Sequence, residues 1–349
     1  MLVVDDSAFM RRVISDLLSG EPDLEVVGTA RDGEEGLEKA AALAPDVITL
    51  DVEMPRMSGL EMLERLMALN PTPVVMVSSL TRPNADVTVR ALELGAVDFV
   101  AKPSGTISLD MHKVREELCR KVRAAARAPR SALARRAPAR RVPAGPAPGG
   151  PKPAKCGSLS RVVVIGTSTG GPSALMEVIP RLPADFPGGL LVVQHMPALF
   201  TRYLAEHLDA ASALDVREAR EGDELRDGLC LVAPGGRHLV LVEGGRVALD
   251  DSPPQHGVRP AVDVTLESVA RSWNGDVLVA ILTGMGMDGA RGTRAVKARG
   301  ARVVAQDEAT CVVYGMPRAV VEMGLADHVV PLQEIAGVLC RLAACSVPA

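Results

Sequence analysis

Aromatic residues are scarce: one Trp, two Tyr and four Phe amount to 2% of 349 residues. The cores must therefore be aliphatic, stacking platforms for nucleic-acid bases are wanting, and Trp273 reads as a packing residue. The six cysteines, at 119, 156, 230, 311, 340 and 345, lack C-x-x-C spacing and histidine partners. Zinc and a disulfide framework are thereby excluded, and the pattern fits a reducing cytoplasm. No apolar run approaches about 18 residues, and no charged-then-apolar leader opens the chain, so neither membrane insertion nor secretion is expected. With a formal net charge of −4 there is no excess of positive charge to bind nucleic acid or an anionic membrane. What is present, 47% hydrophobic and 23% charged residues, describes a chain long enough for two ordinary domains.

The stretch Arg161 to Leu175, RVVVIGTSTGGPSAL, carries the densest signal. Val162 to Ile165 is β-branched and too short for a helix, so a buried parallel strand is expected. Gly166, Gly170 and Gly171 permit a sharp turn, and Pro172 suits the first turn of a helix. The result fits G-x-S-x-G, which lifts a serine hydroxyl, here Ser168, above a sheet. A phosphate-cradling turn is the competing reading, although Ser168 occupies the second glycine of G-x-G-x-x-G.

In the first half, strands are expected at Met1 to Val4, Glu25 to Val27, Asp46 to Leu50, Val74 to Val77 and Val97 to Val100. Helices fall after Ser7, an N-cap, and near Glu34 to Leu43, Gly59 to Leu69 and Asp86 to Leu94. The alternation implies a parallel sheet with functional groups at the carboxyl ends of its strands. Asp5, Asp6 and Asp51 stand at such ends; three carboxylates at one edge repel unless a cation neutralises them, and oxygen ligation suits Mg²⁺. The pair Asp5-Asp6, TLDVEMPRMSGLE around Asp51, Ser78 in VVMVSS and Lys102 in DFVAKPS resemble a response-regulator receiver domain over about residues 1–123. The resemblance implies a flavodoxin-like fold and phosphorylation of Asp51 by a chemotaxis histidine kinase. It also implies Mg²⁺ held by Asp5, Asp6, Asp51 and the Glu53 carbonyl, phosphoryl contacts from Ser78 and Lys102, and a switch aromatic at Phe99. Met1 stands inside the first strand, and a shortened strand is expected to cost stability without moving the acidic site.

After a periodic helix from Leu109 to about Ala126, residues 128–159 are dominated by Pro, Ala, Gly and Arg, with PAGPAPGGPKP at the centre. Such a segment buries too little to offset its chain entropy and is expected to be a flexible tether reaching on the order of 30 Å. The expected division is a receiver at 1–127, a linker at 128–159 and a second α/β domain at 160–345.

In that second domain, strands are expected at Val162 to Ile165, Leu190 to Val193, Val277 to Leu282, Arg302 to Ala305 and His328 to Val330. Helices are expected at Ser173 to Pro180, Leu199 to Leu208, Val262 to Trp273 and Thr293 to Arg299. LCLVAPGGRHLVLVEGGRVALD, Leu229 to Asp250, predicts an antiparallel hairpin at the sheet edge. A serine nucleophile needs a base and an orienting carboxylate. Of the six histidines, His195 closes LLVVQHMP at the edge where Ser168 stands. Asp288 lies in the glycine-rich turn after VLVAIL at that edge. GTSTGGP, LVVQHMP, HGVRPAVDV, LTGMGMDG and AQDEATCVVYGMP together resemble the catalytic domain of the chemotaxis protein-glutamate methylesterases over about Arg161 to Leu342. The family assigns Ser168 as nucleophile, His195 as base and Asp288 as its partner.

The resemblance further implies hydrolysis of glutamate methyl esters on methyl-accepting chemotaxis receptors, with glutamine deamidation by the same apparatus and no cofactor for the esterase step. Backbone N–H groups at Thr169 and Met285 would hold the oxyanion, while His256, Arg259 and Asp263 either shape the substrate edge or pack the loop. Phosphorylation of Asp51 would relieve a receiver that covers the Ser168 edge. The rival from another class is a phosphorylation-controlled adaptor that binds a nucleotide or partner through the glycine-rich turn. A receiver-linked transcription factor would need a basic helix-turn-helix, which the parallel-sheet pattern does not offer.

Overall fold

The computed structural model describes residues 1–79, 81–102, 108–128 and 159–344. The chain divides into two compact units, Met1–Arg141 and Val142–Ala349. Apart from Ala128 and Leu159, the expected tether lies outside the described residues, as does Pro103.

In the first unit the order is β1 (Leu2–Val4), α1 (Ala8–Ser19), β2 (Gly28–Ala30), α2 (Gly33–Leu43), β3 (Ile48–Asp51), α3 (Gly59–Leu69), β4 (Val74–Ser78), α4 (Arg82–Glu93), β5 (Asp98–Ala101) and α5 (Ser108–Ala126). The sheet runs β2-β1-β3-β4-β5 with every pair parallel, which is the flavodoxin-like order. Helix starts follow local chemistry. Ser7 accepts from Met10 N at 3.3 Å, and Ser58 with Glu61 forms a reciprocal capping box ahead of α3. The second strand is a correction: it lies at Gly28–Ala30, not Glu25 to Val27. Register decides this: β1 pairs Leu2–Val4 with Gly28–Ala30, while Glu25 and Val27 reach back to Met1, the carbonyl of the one accepting from its amino group and the N–H of the other donating to its carbonyl.

Gly59, at the start of α3, passes so close to β3 that a Cβ there would lie 1.9 Å from the Asp51 carbonyl oxygen. Gly59→Ala is therefore expected to destabilise the first unit by about 3 kcal/mol, since backbone must move to admit the methyl. A urea midpoint for this unit equal to wild type would contradict the close approach.

The second unit contains β6 (Arg161–Thr167), α6 (Gly171–Val178), β7 (Gly189–Gln194), α7 (Phe200–Ala211), β8 (Asp215–Glu218), β9 (Leu229–Val232), β10 (His238–Val242), β11 (Arg246–Asp250), α8 (Val262–Ser272), β12 (Asp276–Ile281), α9 (Ala290–Lys297), β13 (Arg302–Gln306), α10 (Met316–Glu322), β14 (His328–Val330) and α11 (Leu332–Ala344). Its seven-stranded sheet runs β14-β13-β12-β6-β7-β9-β8, parallel throughout. The antiparallel hairpin is β10 with β11, a separate two-stranded sheet. The first run of the expected hairpin, Leu229–Val232, instead joins the main sheet beside β7, because all four of its residues are buried.

Alternation along β6 assigns its two faces. Val162 and Val164 pack with Leu191, Val193, Leu239, Leu266, Ile281, Val303 and Met316 in one aliphatic core, under α8, α9, α10 and the hairpin. The other face is covered by α6, α7 and α11. Each such Val or Leu removed from water contributes roughly 1.5–3 kcal/mol, so a core with few aromatics is sufficient. From β6 the chain winds out through β7, then returns to lay β12 on the other flank of β6. The strand order reverses there, so the carboxyl ends of β6 and β12 form the topological switch point of the sheet.

Candidate active site

β6 ends at Thr167, and the turn that follows is built by hydrogen bonds from its neighbours. Ser168 N donates to Thr283 O at 3.0 Å, and Gly171 N closes the turn on Ser168 O at 2.8 Å. Gly170 has φ 78°, and a Cβ on it would lie 2.7 Å from Val312 Cβ, so glycine is required there twice over. Thr283 supports the turn from β12. Its hydroxyl donates to Thr169 O at 3.0 Å and accepts from Val312 N and Val313 N, while its own N–H donates to Gln306 Oε1 at 2.8 Å. From β7, Gln194 Nε2 donates to both Ser168 O and His195 O, each at 3.0 Å.

His195 is the residue after β7 and is held beside the turn by its N–H on Thr167 O at 3.2 Å. Its Nε2 meets Asp288 Oδ2 at 2.7 Å. With Nε2–H donated to a carboxylate, Nδ1 is the nitrogen left with a lone pair, and this fixes the tautomer. Asp288 itself is 1% exposed and sits at the amino end of α8, which has no side-chain cap of its own. Its carboxylate accepts from Val262 N at 2.7 Å, Asp263 N at 2.9 Å and Gly289 N at 2.9 Å. Burial pushes this carboxyl up, but the His195 hydrogen bond and charge and the N–H groups of Asp263 and Val262 outweigh it, holding Asp288 below the usual carboxylate range. The structure thus brings His195 and Asp288 into contact and sets Ser168 on the adjoining strand end, with no hydrogen bond from Ser168 Oγ to the imidazole. A serine hydroxyl beside a tautomer-locked imidazole, at the edge of a sheet, is equipped for acyl transfer.

Thr169 is buried next to Ser168 in the chain, and Met285 is half-buried in the turn after β12. His256 Nε2 meets Asp263 Oδ2 at 2.9 Å, and Gly292 N donates to Asp263 Oδ1 at 2.7 Å. Arg259 donates to the carbonyls of Asp251 and Ser252 and so packs its own loop. His256, Asp263 and Asp288 place ligand atoms within 4.8 Å of one another, as a metal would need. Their oxygens are already engaged by His195, His256 and backbone N–H groups, so a cation would have to break the arrangement, and the set does not fit one.

At the carboxyl edge of the first sheet, Asp5, Asp6 and Asp51 place carboxylate oxygens within 4.8 Å of one another. Lys102 Nζ lies 3.0 Å from Asp5 Oδ2 and 2.7 Å from Asp51 Oδ2. Asp5 Oδ2 is buried with no hydrogen bond of normal geometry. Burial raises the Asp51 carboxyl to about 6; the Lys102 hydrogen bond opposes this and the charge of Asp5 adds to it. An all-carboxylate set, with Asp5 Oδ2 buried and offset only by the Lys102 charge, fits a hard divalent cation such as Mg²⁺. Glu53 is exposed on the loop after β3, and Ser78 ends β4 with its hydroxyl accepting from Thr88 Oγ1 at 2.8 Å. Phe99 is buried, its carbonyl accepting from Lys121 Nζ, which also lies 5.0 Å from the ring centroid.

Four supporting residues escape a motif reading. Thr283, Gln194 and Gln306 each stand as the first polar residue at the end of an apolar strand, a signal that could have found them. Arg11, whose guanidinium donates to the carbonyls of Asp5 and Asp6 at 2.8 and 2.9 Å, carries no such signal.

Residues 163–339 match the family model for CheB methylesterase, and residues 1–112 that for the response regulator receiver domain. A protein of Symbiobacterium thermophilum named protein-glutamate methylesterase/protein-glutamine glutaminase is 56% identical over 347 residues, which span 98% of this chain and 96% of the relative. A protein of the same name from Thermotoga maritima is 47% identical over 346 residues, 98% of each chain. The crystal structure of the Thermotoga maritima CheB methylesterase catalytic domain is similar at 48% identity and a TM-score of 0.50, over 52% of this chain and 97% of that one. With both models matched and full-length relatives this similar, the chain belongs to the CheB methylesterase family and carries a response regulator receiver domain ahead of its methylesterase domain.

Proposed function

We propose that Ser168, His195 and Asp288 form the triad through which this chain exerts the methylesterase and glutaminase activity of its family, and that phosphorylation of Asp51 raises that activity. The observation that carries the reading is the 2.7 Å contact between His195 Nε2 and a fully buried Asp288, one strand away from Ser168. Ser168 Oγ turns toward Nδ1, gives up its proton there and attacks the γ-carbonyl carbon of a glutamyl methyl ester. N–H groups of Thr169 and Met285 stabilise the oxyanion, one such donor being worth about 3 kcal/mol. Nδ1 returns the proton to the departing methoxide, methanol leaves, and water cleaves the acyl-enzyme to glutamate. With a glutamine side chain, ammonia leaves instead. The substrates are glutamyl side chains of methyl-accepting chemotaxis receptors, and the outcome is adaptation.

In the receiver, Asp51 accepts the phosphoryl group from a histidine kinase. Asp5, Asp6, Asp51 and the Glu53 carbonyl would hold Mg²⁺, which when bound would supply screening of the charge brought together in transfer, and Ser78 and Lys102 are the contacts for the phosphoryl oxygens. The receiver spans 1–127, the tether 128–159 and the esterase 160–345. No helix among the described residues is long and apolar enough to cross a membrane, and we place the reaction in the cytoplasm, where a kinase can supply phosphate.

Methanol release from methylated receptor membranes, with and without a small phosphodonor, tests the control. Wild type is expected to be stimulated about tenfold or more, and Asp51→Asn to keep its basal rate without stimulation. Stimulation of Asp51→Asn equal to wild type would overturn this assignment.

A further inference from the structure

We propose that Gln194 is a positioning residue for this reaction: one side-chain amide ties the backbone of the nucleophile to the backbone of the base. The inference rests on the Ser168 and His195 assignments above. The ladder between β6 and β7 pairs Thr167 with Gln194 and ends with His195 N on Thr167 O. Beyond that point the strands part, since β6 turns into α6 while the chain after β7 runs out through Met196 and Pro197. Where the ladder stops, Gln194 Nε2 takes over, with its two hydrogens on Ser168 O and His195 O at 3.0 Å each.

Two further observations separate this from ordinary packing. Gln194 is 2% exposed, and its Oε1 has no hydrogen-bond partner. A buried, unpaired amide oxygen costs stability, so a residue retained for packing alone is better replaced by an apolar side chain of the same length. The neighbouring helix start also makes room for it. A Cβ at Gly171 would stand 1.9 Å from Gln194 Oε1 and 2.5 Å from Thr167 Oγ1.

The test uses the full chain, methylated receptor membranes and three variants. Gln194→Met keeps the length and removes the donor. It is expected to lower kcat ~10²-fold, as small misplacements of reacting groups do. KM should stay within about threefold, because substrate contacts are untouched, and Tm within about 4 °C of wild type. In Gln194→Glu, an ionised carboxyl has no hydrogen to offer the two carbonyls, whereas the protonated form donates one. Its kcat relative to wild type is therefore expected to rise as pH falls from about 8 to 6. His195 and Asp288 stand at the same edge in both enzymes, which is why the readout is the ratio to wild type at each pH. Gln194→Met within threefold of wild-type kcat, or a loss confined to KM, overturns the proposal. Should Gln194→Met fail to fold, Gln194→Glu decides alone, and a ratio that does not change with pH overturns it. Ser168→Ala, assayed in parallel, separates the two failures: if it retains activity, the triad reading has failed and the role of Gln194 falls with it, whereas if it is inactive, wild-type turnover by Gln194→Met overturns the role of Gln194 alone.

Discussion

Ser168→Ala is expected to abolish methanol release from methylated receptors, lowering kcat at least ~10⁴-fold while leaving thermal stability close to wild type. The size follows from the covalent route, because without Oγ there is no acyl-enzyme and only the oxyanion donors and substrate binding remain. Stability should hardly change, since it is the backbone of Ser168, through Thr283, Gly171 and Gln194, that anchors the turn. Full demethylation by this variant would rule out Ser168 as the nucleophile. The adaptor reading of the glycine-rich turn predicts instead no methanol release by the wild type, indifference to His195→Ala and protection of the second unit by nucleotides.

Asp288→Asn is expected to be nearly as damaging to turnover, about 10⁴-fold, and also to lower stability by about 3 kcal/mol. The carboxylate accepts from His195 Nε2 and from the N–H groups of Val262, Asp263 and Gly289. An amide has one oxygen for these donors, so either orientation sets an N–H against an N–H. If the amide nitrogen faces the ring, the proton moves to Nδ1 and the base is lost. The same carboxylate links stability to pH. Its folded pKa is depressed, so its contribution is complete above the ordinary value of about 4 and is lost as pH falls through the lower folded value. The wild-type loss of Tm below pH 4 should therefore be shallower in Asp288→Asn. An Asp288→Asn variant with wild-type kcat per folded molecule would leave Asp288 as a helix cap only.

Much of the architecture follows from local pattern. The boundaries of α3 coincide with the expected Gly59 to Leu69, because a capping box and a sustained apolar stripe mark them. β2 and β8 were less legible. β2 is three residues that pair where β1 dictates, and β8, Asp215–Glu218, is an edge strand with one buried residue and no apolar run to announce it. The site divides in the same way. Ser168, His195 and Asp288 can be found from strand ends alone. Thr283, Gln194 and Gln306 act through hydrogen bonds to backbone groups of other strands, and no spacing encodes such partners.

The sequence by itself determined that this chain alternates strand and helix in two stretches, that acidic and serine-bearing turns follow its apolar strands, and that those turns are tight. These properties are local, set by side-chain period and by which residues tolerate a turn. Only the tertiary structure decided that β12 lies against β6, which carries Asp288 across 93 residues of chain to His195. It also decided which imidazole nitrogen meets the carboxylate, and that one amide spans the backbone carbonyls of Ser168 and His195. Those outcomes depend on strand order and on the competition of distant groups for each buried donor, and both are settled only when the sheet is assembled.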